Sequence, residues 1–105
     1  MSDTFKADRE KEIADNQILI YGKGTKLMPM CGFSGQVVEI FKHLEKPFEM
    51  INVLDNPDIR ARLKEVTDWP TFPQIFVKGE FIGGCDIARE MFESGELKTM
   101  VEDVS

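Results

Sequence analysis

Between Ile18 and Val53 the sequence spells a strand, a helix and a second strand, and this order constrains the fold more than any other feature. Ile18 to Tyr21 is a short apolar run closed by Gly22 and Gly24, which suits a buried strand feeding a loop. Loop residues extend to Pro29. A helix then starts near Phe33, because Val37, Ile40, Phe41 and Leu44 fall at i, i+3, i+4 and i+7 and bury one stripe; Pro47 ends it. Phe48 to Val53 alternates apolar and polar residues as a strand does. Two strands joined through a helix lie parallel, in the right-handed crossover that strand twist enforces.

The rest of the chain adds to this unit. Asn56 is a good N-cap and Pro57 suits the first helical position, with Ile59, Leu63 and Val66 on one face. Thr67 to Pro73 breaks regular structure with two prolines. Gln74 to Val77, a Lys78-Gly79 turn and Glu80 to Ile82 predict a hairpin that Gly83-Gly84 terminates. Asp86 to Ser94 predicts a helix stopped by Gly95, and Leu97, Met100, Val101 and Val104 predict another. At the other end, Thr4 to Asn16 is highly charged, with Phe5 and Ile13 its only large apolar residues, and predicts a surface helix held by few contacts. Trp69 and the apolar residues on the helix after Cys31 are expected in the core, and His43 at the surface near that helix's C-terminus.

Composition bounds the function. At 105 residues there is room for one core, so a single domain over residues 1–105 is expected, with residues 1–16 as an N-terminal helical extension. A net charge of −6 disfavours nucleic acid and anionic membrane as main partners. The apolar runs reach about five residues against the roughly 20 of a membrane span, and the N-terminus is charged, so neither span nor signal peptide is expected. Two cysteines, Cys31 and Cys85, are too few for a disulfide scaffold, which suggests a reducing, cytoplasmic setting. One histidine leaves little for a zinc site or an imidazole base. Whatever chemistry exists is expected at sulfur.

Cys31 stands where a loop meets a helix start. Unpaired backbone N–H groups and the positive end of the helix dipole stabilise an anion there, and Lys23 can add its charge if the loop folds back. The thiolate is the form that attacks disulfides and binds metal. A buried structural cysteine is the competing reading. Cys31-Gly32-Phe33-Ser34 has the spacing of a Cys-x-x-Cys redox motif with serine in second place, so a mixed disulfide on Cys31 must be released by an external thiol or by another cysteine of the chain.

Together with Lys23-Gly24-Thr25, Trp69-Pro70-Thr71-Phe72-Pro73-Gln74 and Gly83-Gly84-Cys85-Asp86, this motif makes the chain resemble the monothiol glutaredoxins with a Cys-Gly-Phe-Ser active site, over about residues 17 to 100. The resemblance implies an α/β thioredoxin fold, a four-stranded mixed sheet flanked by helices. It implies that Cys31 is the active thiol and that Lys23, Arg60, Phe72, Cys85 and Asp86 hold a glutathione tripeptide beside it. The chemistry suits those residues: Lys23 and Arg60 can pair with the two carboxylates of the ligand, and Asp86 with its ammonium. The backbone of Phe72, before a Pro73 that the resemblance implies is cis, can pair with the ligand as an added strand. By themselves Lys23 and Arg60 also suit solvated surface charge, Asp86 a helix N-cap, and Gly83-Gly84 a plain turn.

A 2Fe-2S cluster takes four thiolates. Cys31 and one glutathione sulfur supply two per chain, so a homodimer with two glutathiones would complete the set. The resemblance thus implies a cluster carrier that passes its cargo to acceptor or partner proteins, with a glutathione-dependent thiol-disulfide oxidoreductase as the other reading and weak or no classical glutaredoxin turnover expected. Cys85 has three readings: cluster ligand, distant resolving thiol, or spectator lining the glutathione site. The loop departs from the family in two places. Lys26 stands where many relatives have proline, which puts loop rigidity in doubt, and Leu27, Met28 and Met30 approach the cysteine, either to shelter a cluster or receive a partner, or to pack beneath the loop.

Overall fold

The computed structural model describes residues 3–105; Met1 and Ser2, which the expected extension includes, lie outside the described residues. Nine elements follow one another: α1 (Phe5–Asp15), β1 (Ile18–Gly22), α2 (Gly32–Leu44), β2 (Glu49–Asn52), α3 (Pro57–Thr67), β3 (Gln74–Val77), β4 (Glu80–Gly83), α4 (Cys85–Ser94) and α5 (Glu96–Val101). The strands lie in the order β2-β1-β3-β4, with β1 parallel to β2 and antiparallel to β3, and β4 antiparallel to β3. This is the mixed sheet of a thioredoxin fold.

Successive side chains of β1 point to opposite faces of the sheet, and each face has its own cover. Ile18 and Ile20 join Val37, Phe41, Ala88, Leu97 and Val101, from α2, α4 and α5. Leu19 and Tyr21 join Phe5, Ile13, Ile59 and Leu63, from α1 and α3. All of β1 is therefore buried, which explains why its sequence is a continuous apolar run. No helix of the described residues is long and apolar enough to cross a membrane.

Some boundaries differ from expectation. α2 begins at Gly32 with Cys31 as its N-cap, and it stops at Leu44, before Pro47, because Glu45 turns left-handed (φ 58°) and donates its N–H to Lys42 O. Asn56 caps α3 by backbone alone; its side-chain amide donates to Asn52 O at 2.8 Å. Val104 lies beyond α5 yet stays buried, in a tail that Lys46 Nζ holds by donating to the carbonyls of Glu102 (2.9 Å) and Val104 (3.1 Å). α1 is attached by more than its two apolar residues. The hydroxyl of buried Tyr21 donates to Glu12 Oε1 at 2.8 Å, Arg9 pairs with the same carboxylate, and the guanidinium groups of Arg9 and Arg62 both lie over the Phe5 ring.

Candidate functional site

β1 delivers Lys23 to one side of Cys31, and α2 starts on the other. Their junction is tied by Ser34, whose fully buried hydroxyl oxygen accepts the Lys23 N–H at 3.0 Å. The loop between them is closed by its own bonds. Met30 N–H donates to Lys23 O at 2.8 Å, Thr25 N–H to Met28 O at 3.0 Å, and Gly24 N–H to Asn52 Oδ1 at 2.9 Å. Lys26, expected to loosen this loop, anchors it instead: its Nζ donates to Phe48 O at 2.7 Å, pairs with Glu49 and lies over the Phe48 ring. With the backbone so held, Leu27 (93% exposed), Met28 (68%), Met30 (63%) and Phe33 (57%) stand in solvent. They do not pack beneath the loop.

A cavity of about 750 Å³ opens beside Cys31, and Lys23, Arg60, Phe72, Cys85 and Asp86 all line it. The structure thus brings every site residue expected from the sequence to one place. Trp69, expected in the core, is only partly buried and lines this cavity, packed edge-on against Phe81 with ring centroids 5.6 Å apart. His43 is exposed in the last turn of α2, edge-on to Phe92, as expected of a surface residue.

The segment before β3 is shaped by Gln74, whose buried side-chain amide donates to Trp69 O (3.0 Å) and Thr71 O (3.1 Å). The Phe72–Pro73 peptide is cis. Among the described residues neither the N–H nor the carbonyl of Phe72 is taken by a backbone hydrogen bond, so this edge of the cavity is free to pair. On the facing side, a Cβ on Gly84 would sit 3.2 Å from Pro73 O and 3.3 Å from the indole nitrogen of Trp69, so a side chain there would push this segment a few tenths of an ångström away from the start of α4.

The two thiols differ in character. Cys31 is partly exposed, and its thiol is held below the ordinary value, first by the backbone N–H of Ser34, then by that of Phe33, the Ser34 hydroxyl and the charge of Lys23, against the opposing effect of burial. Cys31 is the N-cap of α2, where unpaired backbone N–H groups and the helix dipole favour an anion. Cys85 also begins a helix, but burial outweighs the position and pushes its thiol up. Its S–H donates to Gln36 Oε1 at 3.5 Å, a bond that only the neutral thiol can make. Among the described residues neither Lys23 nor Arg60 is paired with a carboxylate. The cavity therefore offers one thiol held below its ordinary value, two cations without a carboxylate partner, an open backbone edge and, at Asp86, one carboxylate.

Two other depressions mark the surface of the described residues. One, of about 890 Å³, shares Cys31 and runs between α2 and α4 past Met30, Ile40 and Phe92. The other, of about 520 Å³, lies between α1 and the start of α3 with Asp3, Asp8, Asp55 and Asp58 in its wall; it contains no thiol. Sequence reasoning missed Ser34 as a buried tie and Trp69 as cavity wall. The serine's place in the motif was the only signal for the first, and Trp69's position among prolines for the second.

Comparison with known proteins agrees with this fold. Residues 18–82 match the family model described as Glutaredoxin. The chain is 51% identical over 96 residues to Glutaredoxin 4 of Pasteurella multocida, covering 91% of this chain and 88% of that one. It is 49% identical over 98 residues to the chloroplastic monothiol glutaredoxin-S14 of Arabidopsis thaliana, covering 93% of this chain but 57% of that longer protein. Among solved structures, that of reduced poplar apo GrxS14 superposes with a TM-score of 0.81 at 48% identity, covering 93% of this chain and 90% of that one.

Proposed function

The chain belongs to the glutaredoxin family, on the monothiol side of it, and from that premise we propose that it binds a glutathione-ligated 2Fe-2S cluster between two copies of itself and hands the cluster to acceptor proteins. The observation that carries this reading is the contrast between the thiols. One sulfur, at a cavity mouth, is held below the ordinary thiol value and so ionises more readily, while its neighbour Cys85 is pushed up by burial and donates its S–H to Gln36. One chain then offers one good ligand. Among the described residues no group of three or more His, Cys, Asp or Glu could hold a metal ion.

The remaining thiolates come from outside. Lys23 and Arg60 pair with the carboxylates of glutathione, the free edge of Phe72 takes its peptide, and Asp86 receives its ammonium, with Cys85 a spectator in the wall. Two chains and two tripeptides supply the four thiolates that such a cluster takes. The exposed side chains of Leu27, Met28, Met30 and Phe33 give the second copy an apolar surface to cover. Half the ligands exchange with solvent, which suits delivery better than permanent storage. The reading places the protein in the cytoplasm, where glutathione is abundant and thiols stay reduced.

Anaerobic reconstitution with iron, sulfide and glutathione, followed by visible absorption and gel filtration, tests it. A coloured dimer that needs glutathione and is lost in Cys31→Ser is expected. A colourless monomer under all conditions, or unaltered cluster binding in Cys31→Ser, refutes it.

The lowered Cys31 thiol favours a second reading, removal of glutathione from protein mixed disulfides. The Cys31 thiolate attacks the glutathione sulfur and the protein thiolate leaves and takes up a proton. A second glutathione thiolate then attacks the same sulfur, forming glutathione disulfide and releasing Cys31. Ser34 cannot replace that second thiol. Turnover with a glutathionylated protein, lost in Cys31→Ser and indifferent to iron, distinguishes this reading.

A further inference from the structure

Asp86 is the carboxylate placed to receive the ligand's ammonium, and it is already engaged. Arg89, one turn further along α4, donates from Nη2 to Asp86 Oδ1 at 3.1 Å. Its Nη1 donates to Gln36 Oε1 of α2 at 3.4 Å, the oxygen that also receives the Cys85 thiol. Arg89 is thus fixed at both ends, at the boundary between the cavity holding Asp86 and the groove between α2 and α4. The contrast with the other charged groups is plain. Lys23 and Arg60 wait unpaired for carboxylates, whereas the one carboxylate meant for a cation carries an internal counter-ion.

We propose that Arg89 is a specificity-determining residue: it competes with the ligand for Asp86 and so lowers the chain's preference for tripeptides bearing a free α-ammonium over those lacking one. The inference rests on the glutathione reading of the cavity. An unpaired carboxylate gains a full interaction when an ammonium arrives. A paired one is already partly neutralised, so whether the ammonium displaces the guanidinium or joins it at the second carboxylate oxygen, only the difference reaches the affinity. The displaced guanidinium keeps its bond to Gln36, so displacement does not send Arg89 fully into solvent. Both side chains are substantially exposed, Arg89 at 49% and Asp86 at 77%, which limits the effect to about two- to five-fold in affinity.

The test titrates the full chain, followed by NMR chemical shifts, with two probes: S-methylglutathione, and its analogue in which a glutaryl group replaces γ-glutamyl and removes the ammonium alone. Arg89→Gln is expected to tighten S-methylglutathione about two- to five-fold and leave the glutaryl analogue unchanged, while Arg89→Lys keeps the original ratio. A role in folding or in shaping α4 would move both probes together, and that outcome overturns the proposal. Weaker S-methylglutathione binding in Arg89→Gln also overturns it, because Arg89 would then be holding a ligand carboxylate. So does an unchanged ratio between the probes. Failure of S-methylglutathione to bind the unaltered chain is a different result: it overturns the glutathione reading itself and the inference with it.

Discussion

Replacing Ser34 by alanine tests whether the serine of the motif is more than a missing thiol. Its oxygen is fully buried and accepts the Lys23 N–H at 3.0 Å, and its hydroxyl favours the Cys31 thiolate. Alanine leaves that N–H without a partner where water reaches poorly. An orphaned buried donor costs about 1–3 kcal/mol, and because this bond is only partly buried the lower part of that range, about 1–2 kcal/mol, is expected. In a domain of this size each kcal/mol lowers Tm by about 4–8 °C. Urea melts followed by circular dichroism measure the first effect. The pH dependence of Cys31 alkylation, in a Cys85→Ala background, measures the second. The sign follows from the lowered thiol: thiolate formation stabilises the fold as pH rises from the lowered value to the ordinary 9.0, and this gain is lost as pH falls through the lowered value. In Ser34→Ala the alkylation curve should shift to higher pH and that window should narrow. Unchanged stability refutes the structural role; an unchanged alkylation curve refutes the contribution to the thiolate.

Four further outcomes are expected. In the unaltered protein near neutral pH, mass spectrometry after brief alkylation should find Cys31 modified well before Cys85, and equal labelling would contradict the difference between the two thiols. Tyr21→Phe should cost about 0.5–1.5 kcal/mol at neutral pH. Because burial raises the Tyr21 phenol above its ordinary 10.0, the normal protein should lose stability as pH rises beyond that value, and the variant should lose less; parallel alkaline curves would count against the assignment. Lys26→Ala, which removes the donation to Phe48 O and the Glu49 pair, should cost about 0.5–1.5 kcal/mol and speed amide exchange at Thr25, Met28 and Met30; unaltered exchange would show that backbone bonds alone hold the loop. Phe41→Ala, at a fully buried site between the sheet and α4, should cost about 3–5 kcal/mol in denaturant melts, and a loss below 1 kcal/mol would be inconsistent with its packing.

What could be deduced from sequence depended on the range of the interaction concerned. β1 was legible because a strand covered on both faces must be apolar throughout, and α2 because its stripe repeats at helical spacing. Cys31 at a helix N-terminus followed from the same two observations, since the loop before it and the stripe after it meet there. Side chains that act across the fold left no such trace. The firm attachment of α1 depends on Tyr21 and Glu12 meeting through a turn, and a tyrosine in an apolar run looks like any other core residue. Lys26 looked like lost rigidity because its partner, the Phe48 carbonyl, lies 22 positions away. The size of Trp69 points to the core, but two neighbouring prolines and Gln74 turn its segment toward the cavity. The pairing of Arg89 with Asp86 spans three positions and is ordinary in sequence; it acquires meaning only from the cavity on which Asp86 opens.

Trp69 gives the molecule an optical property. It is the chain's one tryptophan, and it stands in the wall of the cavity that also contains Cys31 rather than deep in either face of the sheet. Its emission therefore reports on that cavity before it reports on the fold. A tripeptide settling against the indole, or a sulfur species forming on Cys31, should alter the intensity while the sheet is intact. In a denaturant series the same signal should follow local opening of the segment before β3, and its midpoint should precede that of the backbone wherever that segment yields first. Intrinsic fluorescence is thus a built-in occupancy gauge for this protein, and circular dichroism the measure of its global unfolding.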